Sequence, residues 1–474
     1  MATTTTVPRV TRGRAAAGGR DRPLWREWVR SLDRPLTSYY LVLGSSLMLI
    51  ALGLVMVLSS TMVNSITETG SAFSMFQKQA VSAAIGLPLM LVASQLPPRV
   101  FRLVGYPAMI VSVALLLITA FQGTEVNGAV RWLEVGGVVM QPSEPAKLAF
   151  TLWGANVLAR KDELGELTEW RHLLIPLLPG CGLLALLVLL GSDLSTTLVL
   201  LLAFLGLLWV VGAPGRLFVA MFGLVLTLAV IVIAIEPYRL RRVTHFLDPG
   251  ADPTGAGFQS LHGLYALGTG GIFGVGIGAS REKWGFLPFA ESDFIFAIIG
   301  EEFGLIGTLV VLGLFGVLGY AGLRVAARVR EPFARLAAVA IVTWVIGQAM
   351  INIAAVVGLL PVTGIPLPLV SYGGSSLIPT MVGMGVLLAL ARTEPQAQKA
   401  LAARGPGWAQ RALSWLGLDK IGSPLKERGA NTTSRRPTTA RGPRTQGPGG
   451  GTTTAKHRNG PVPAGDRPRR NRRR

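Results

Sequence analysis

Six ionisable side chains interrupt apolar runs of this 474-residue chain: Glu144, Lys147, Asp193, Asp293, Glu301 and Glu302. In hydrocarbon such groups are costly and by default mark function, because an isolated charge must pair, neutralise or take part in chemistry. A carboxylate there can act as a general base if it reaches within about 3 Å of the proton it removes. Ahead of Asp293 the chain also carries Arg239, Arg241, Arg242, Arg281 and Lys283. Guanidinium forks match phosphate oxygens bidentately, so an acid flanked by arginines suits a lipid pyrophosphate. Anionic headgroups, or Asp248, Asp252 and Glu282, would satisfy the same cations.

Each of these residues also has a purely structural reading. Ser292–Asp293 before an apolar run is the pattern of a helix N-cap, and taken alone the cap is the stronger reading. Glu144 and Lys147 have the i,i+3 spacing of a pair within one helix. Gln348 and Asn352, one turn apart, could be polar glue between helices. The glycine-rich run 268–278 is preceded by no strand and followed by no Gly-Lys-Ser/Thr, so it predicts close backbone packing or a re-entrant turn, not a phosphate loop. The stretch Pro366 to Ser376 has small residues that permit tight helix approach. It could equally present N–H donors to an anion at a helix start, with Ser371 and Ser375 beside them.

The elements that must position these residues are membrane helices. Half of the chain is hydrophobic, which excludes a soluble multidomain protein. A span needs about 20 apolar residues, which places helices near 38–60, 77–96, 101–121, 143–159, 172–190, 194–211, 215–235, 294–322, 336–358 and 369–391. The expected fold is thus an all-α polytopic membrane protein with about ten spans and one long extracytoplasmic loop near 236–293. No cleavable signal is present, and the arginines and lysines between spans set both termini in the cytoplasm. On that topology the six ionisable groups lie in the outer half of the bilayer.

The formal charge of +20 sits in the tails, +5 in residues 1–37 and +15 in 391–474. Such tails suit anionic lipid or an acidic partner and not the folded basic face that nucleic acid requires. The domain plan is a basic tail over 1–37, a membrane domain over 38–392 and a tail over 393–474 whose composition predicts disorder. Around Trp408 to Leu418 a short amphipathic helix and a bland linker are equally good readings. Cys181, the single cysteine, rules out an internal disulfide.

Several long segments, in order, resemble the SEDS family (shape, elongation, division and sporulation) of bacterial peptidoglycan polymerases. They are Asn127 to Leu133 with Arg131 and Trp132, Gln141 to Leu148, Tyr238 to Val243, Asp293 to Gly304, and Pro366 to Ser376. The run Gly276 to Trp284 is closer to the division branch than to the elongation branch, which tends to read Gly-Thr-Gln there. The resemblance spans roughly 38–392 and implies that Asp293 is the catalytic carboxylate. It implies lipid II as substrate, joined to a glycan on undecaprenyl pyrophosphate, with Arg131, Arg239, Arg242 and a divalent cation (Mg or Mn) as candidates to stabilise the departing pyrophosphate. Trp132, Glu144, Lys147, Glu301, Ser371 and Ser375 are the further substrate-binding candidates. Implied partners are a class B penicillin-binding transpeptidase, other divisome proteins and, through the C-terminal tail, the division ring protein. The implied location is the plasma membrane at the septum. Where the family usually reads Pro-Glu-x-His-Thr-Asp, this chain has Pro288-Phe289-Ala290-Glu291-Ser292-Asp293. An elongation-type polymerase, a lipid II flippase and a scaffold are the alternatives. Discontinuous helices with inverted repeats would favour transport, and the hydropathy shows no internal repeat.

Overall fold

The structure, a computed structural model, describes residues 34–126, 129–164, 174–235 and 257–404. Arg239, Arg241, Arg242 and both tails beyond these limits, including the Trp408 to Leu418 stretch, lie outside the described residues. Helices form at all ten expected positions: α1 (Thr37–Thr69), α2 (Ser74–Gln95), α3 (Pro98–Gln122), α4 (Ser143–Glu163), α5 (Leu177–Leu190), α6 (Leu194–Val211), α7 (Gly215–Ile235), α9 (Ile295–Arg328), α10 (Pro332–Val356) and α11 (Gly374–Ala391). Two further helices are α8 (Phe258–Gly270), inside the long loop, and α12 (Pro395–Arg404). Seven helices among the described residues are long and apolar enough to cross a membrane.

Helix α4 is not one of the seven, and the reason is informative. It touches α3, α5, α6, α10 and α11, and nearly every residue from Ser143 to Ala159 is buried. A helix enclosed by other helices has no lipid to face and can carry Glu144, Lys147 and Asn156. The outer helices show the opposite pattern, with Val81, Ile85 and Val92 of α2 and Leu103 and Ile110 of α3 exposed to the surroundings. Glycines let backbones close in: a Cβ on Gly385 of α11 would stand 2.4 Å from the Met90 carbonyl oxygen of α2.

The connection between α3 and α4 is a small antiparallel sheet, β1 (Thr124–Val126), β2 (Ala129–Val135) and β3 (Val138–Met140). Gly136 and Gly137, at φ 61 and 79, make its two-residue turn, a conformation that favours glycine at both positions.

Helix α9 is broken. Gly304 has φ 66 and ψ −161 inside it, and the glycine-rich segment after α8 docks into the break. Val275 N donates to Glu301 O at 2.9 Å and Gly276 N to Glu302 O at 3.1 Å, while Leu305 N donates to Gly271 O at 2.9 Å. The backbones approach so closely that a Cβ on Gly270 would lie 1.9 Å from the Gly300 carbonyl oxygen. Of the two readings its composition allows, the run 268–278 shows the close backbone packing. The carbonyls freed by the kink are satisfied by loop N–H groups, as a low-dielectric setting demands.

Candidate active site

Asp293 immediately precedes Phe294, the N-cap of α9, which makes no side-chain capping bond. Asp293 is thus not the capping residue that Ser292–Asp293 resembles. Asp193 is one: its Oδ1 accepts from Thr196 N at 3.0 Å and its Oδ2 from the Thr196 hydroxyl at 2.8 Å. That carboxylate serves the α6 start and also accepts from Gln141 Nε2 at 3.2 Å.

The turn that presents Asp293 is built from Phe289 onward. Phe289 adopts φ 57, and its carbonyl accepts from Ser292 N at 3.1 Å and Phe294 N at 3.3 Å. Three other segments clamp the turn. Asn352 Nδ2 of α10 donates to the Asp293 carbonyl at 2.8 Å, the Ser371 hydroxyl donates to the Ser292 carbonyl, and Tyr372 N donates to the Glu291 carbonyl at 2.9 Å. Glu291 Oε2 accepts from Asn64 Nδ2 of α1 at 3.4 Å. The Asp293 side chain is half-buried. A Cβ on Gly364, which has φ 70, would sit 3.6 Å from its Oδ2. A carboxylate on a rigid mount, beside a side-chain-free surface and still reachable by water, has the properties a general base needs.

The mount extends through the loop 365–373. Asn352 Nδ2 also donates to Ile365 O at 2.7 Å, Gln348 Nε2 to Pro366 O at 3.0 Å, and Leu367 N to Ser371 Oγ at 2.8 Å. Gln79 of α2 grips the far end, its Nε2 donating to Ser371 O at 3.1 Å and its Oε1 accepting from Gly373 N at 3.0 Å. Lys147 Nζ lies 2.8 Å from both Glu144 oxygens and from Gln348 Oε1, and 5.7 Å from the Trp344 ring centroid. The Glu144–Lys147 pair is thus the intrahelical one that the spacing allows, almost wholly buried, and it reaches the Asp293 mount through Gln348 and Pro366. Gln348 and Asn352 are more than glue: they set the loop on which Ser371 stands.

Glu301 and Glu302 lie under the docked segment 271–283. Glu301 accepts from the Ser280 hydroxyl and from Arg281 N at 2.8 Å, so its partner is this loop. Glu302 Oε1 accepts from Lys283 Nζ at 3.1 Å and from the Ser59 hydroxyl at 2.6 Å. Lys283 also donates to Gly278 O at 2.7 Å, and Glu282 meets His262 Nδ1 at 2.6 Å. Of the loop's described cations, Lys283 is therefore committed to an internal ion pair, while Arg281 is exposed.

Arg131 and Trp132 on β2 are half-buried. Arg131 borders a small cavity with Asp193, Ser143 and Thr119. Ser375 Oγ reaches Val139 O of β3 at 3.5 Å, and the Ser195 hydroxyl donates to the Thr363 carbonyl beside Gly364. Among the described residues no group of three or more His, Cys, Asp or Glu could hold a metal ion. Sequence reasoning passed over Gln79, Asn64 and Ser280. Gln79, a neutral polar residue near the start of an apolar span, was the one with a readable signal.

The chain matches the family model FTSW_RODA_SPOVE, cell cycle protein, over residues 39–396. It is 42% identical over 374 residues to the probable peptidoglycan glycosyltransferase FtsW of Mycobacterium tuberculosis, covering 78% of this chain and 71% of that one. Among solved structures, one described under structural coordination of polymerization and crosslinking by a peptidoglycan synthase complex aligns at TM-score 0.62 and 30% identity. It covers 75% of this chain and 98% of that one. The rod shape determining protein RodA of Thermus thermophilus aligns at TM-score 0.55 and 27% identity, covering 77% and 99%.

Proposed function

The chain belongs to the FTSW_RODA_SPOVE family of cell cycle proteins, and we infer that it is a multi-pass membrane peptidoglycan glycosyltransferase of the FtsW type. The structural observation that carries the mechanism is the clamped turn at Asp293, whose backbone is held by Asn352 at 2.8 Å while its carboxylate faces Gly364.

The substrate is lipid II, and the reaction extends a glycan held on undecaprenyl pyrophosphate. Asp293 takes the proton of the acceptor sugar 4-hydroxyl as that oxygen attacks the donor anomeric carbon. The bond from that carbon to the pyrophosphate breaks on the opposite face, with inversion. Arg239 and Arg242, outside the described residues, and Arg131 on β2 stabilise the departing charge. Trp132 and Ser375 belong to the substrate-facing rim. Glu144, Lys147 and Ser371 act through the mount, and Glu301 through the segment that carries Ser280 and Arg281. A divalent cation, for which the described residues offer no cluster of acids or histidines, would add charge neutralisation to that of the arginines.

The arginine-rich end of the bundle faces the cytoplasm and Asp293 the exterior, with both termini inside. A class B penicillin-binding transpeptidase is the working partner at the septum, beside other divisome proteins, with the division ring protein recruited through the C-terminal tail. The broken helix α9 would also suit a transporter. In this chain, however, loop N–H groups occupy the carbonyls of Glu301 and Glu302 at the break, which leaves them unavailable to line an ion path.

The test is polymerisation of purified lipid II by the full chain with its transpeptidase, comparing wild type with Asp293→Asn. Glycan strands from wild type alone are expected. Polymer from both would remove Asp293 as the base, and none from either, with folded protein, would return the transport reading to first place.

A further inference from the structure

Helix α2 carries none of the residues given a chemical role above, yet one of its side chains is built into the site. Gln79 is 2% exposed, and both ends of its amide are committed to the loop that opens α11. Its Nε2 donates to the Ser371 carbonyl at 3.1 Å and its Oε1 accepts from Gly373 N at 3.0 Å. Resting on the reading of Asp293 as the general base, we propose that Gln79 is a positioning residue for the transfer reaction, setting through Ser371 the peptide plane that aims the Asp293 carboxylate.

The route from α2 to the carboxylate is short. The Ser371 hydroxyl donates to the Ser292 carbonyl, and Tyr372 N, between the two bonds of Gln79, donates to the Glu291 carbonyl at 2.9 Å. The Ser292 carbonyl belongs to the planar peptide that ends at Asp293 N. The next peptide begins at the Asp293 carbonyl and is held by Asn352 Nδ2 at 2.8 Å. Both planes flanking the Asp293 Cα are therefore pinned from outside the turn, one by α10 and one by a loop that α2 holds. Together they fix the direction of its Cα–Cβ bond and leave the carboxylate only its own side-chain torsions.

Helix packing does not need this amide. α2 and α11 already meet through small residues: a Cβ on Gly86 would stand 2.5 Å from Met381 Sδ, and one on Gly374 would stand 2.3 Å from the Ser82 hydroxyl oxygen. A residue gluing two helices would bond across to the partner helix, whereas Gln79 bonds the loop that precedes it. The Ser371 carbonyl needs a donor and Gly373 N an acceptor, and an amide supplies both from one side chain. An ionised glutamate offers acceptors alone, while a protonated one again offers one of each.

That difference supplies the test. Polymerisation of lipid II by the full chain with its transpeptidase is followed across lipid II concentrations, from acidic to neutral pH. The variants are Gln79→Glu, Gln79→Met and, as a like change on an exposed neighbour, Gln77→Glu. At neutral pH an ionised side chain in Gln79→Glu turns an oxygen onto the Ser371 carbonyl, and kcat should fall about tenfold with KM little changed. As pH falls that carboxyl takes up a proton, and the kcat ratio of Gln79→Glu to wild type should climb back toward one. The ratio cancels the titration of Asp293, which both proteins share. Gln79→Met should show the loss at every pH, and Gln77→Glu should follow wild type. Should Gln79→Glu unfold at neutral pH, Gln79→Met, uncharged and of similar length, carries the separation of kcat from KM. A ratio for Gln79→Glu that is depressed at neutral pH and stays depressed in acid, a loss confined to KM, or full kcat in Gln79→Met would each overturn the proposal and leave the transferase reading intact. Polymer from none of the proteins, wild type included, would overturn both.

Discussion

The side-chain amide of Asn352 donates to the backbone carbonyls of Asp293, at 2.8 Å, and of Ile365, at 2.7 Å. Both partners are carbonyls, so the amide nitrogen must face them. One side chain near the end of α10 thereby fixes the distance between the acidic turn and the loop that holds Gly364 and Ser371. Catalysis by a positioned base is sensitive to such spacing, since a shift of about 1 Å can cost roughly a hundredfold in rate.

Asn352→Asp therefore tests the mount without changing its shape. A carboxylate cannot donate to both carbonyls, and the turn should relax while the helix stays folded. The expected outcome is a fall in kcat of about tenfold to a hundredfold with KM for lipid II little changed. Steady-state polymerisation across lipid II concentrations would check it, and a rise in KM alone would place Asn352 in substrate binding.

The docked glycine segment gives a second expectation. Gly274 has φ +82, and a Cβ there would stand 2.2 Å from the Glu302 carbonyl oxygen, a backbone atom that cannot step aside. Gly274→Ala combines left-handed strain with loss of the bonds into the α9 break, a cost of about 3 kcal/mol. Gly268→Ala, where nothing lies within 4 Å, should be tolerated. Thermal unfolding of both variants in the same detergent separates a packing requirement from a general intolerance of alanine.

How much of this was legible beforehand depends on what kind of signal each part leaves. The ten helix positions were, seven of them long and apolar enough to cross a membrane among the described residues, because apolar length is set by bilayer thickness and needs no knowledge of partners. α4 was found by the same reading although its charges keep it from the criterion that seven other helices meet. The sheet at 124–140 was overlooked, although Val135-Gly136-Gly137-Val138 is the pattern of a two-residue hairpin turn. The site divided along similar lines. Asp293, Glu301 and Glu302 stand out as charges in apolar runs, but their partners Asn352, Ser280 and Ser59 are neutral residues whose role comes from pairing across 21 to 243 positions of chain. Local pattern could not tell the capping Asp193 from Asp293, because the difference lies in whether the carboxylate turns back onto the helix start, as Asp193 does onto Thr196, or the next residue, Phe294, takes the cap position.

For Glu144 and Lys147 the burial predicts coupling. Both side chains are within 2% of full enclosure, so Lys147→Met alone strands a carboxylate in the bundle and should cost about 3–5 kcal/mol. Adding Glu144→Gln removes that stranded charge and should recover part of the loss, and Gln348 would lose only one of its bonds. A double-mutant cycle on unfolding free energy checks this. Additive losses would mean that the two residues answer to different partners.

At the other end of the bundle, Glu394 predicts a pH dependence of stability. The residue is buried at 4% exposure, and desolvation raises its carboxyl above the ordinary 4.5, with Ser38, Arg328 and Arg324 opposing. A raised value means that the folded state binds more protons than the unfolded state between 4.5 and the folded value. Unfolding free energy must then fall as pH rises through that window and level off above it. Glu394→Gln removes the titration, so the variant should be the more stable protein above the window. Glu331, whose carboxyl is also raised, is present in both proteins and cancels in the difference. Thermal unfolding of wild type and variant across acidic to neutral pH reads that difference directly. If wild type instead gained on the variant with rising pH, attraction from Arg324 and Arg328 would outweigh burial, and the carboxylate would be held ionised at the root of the tail.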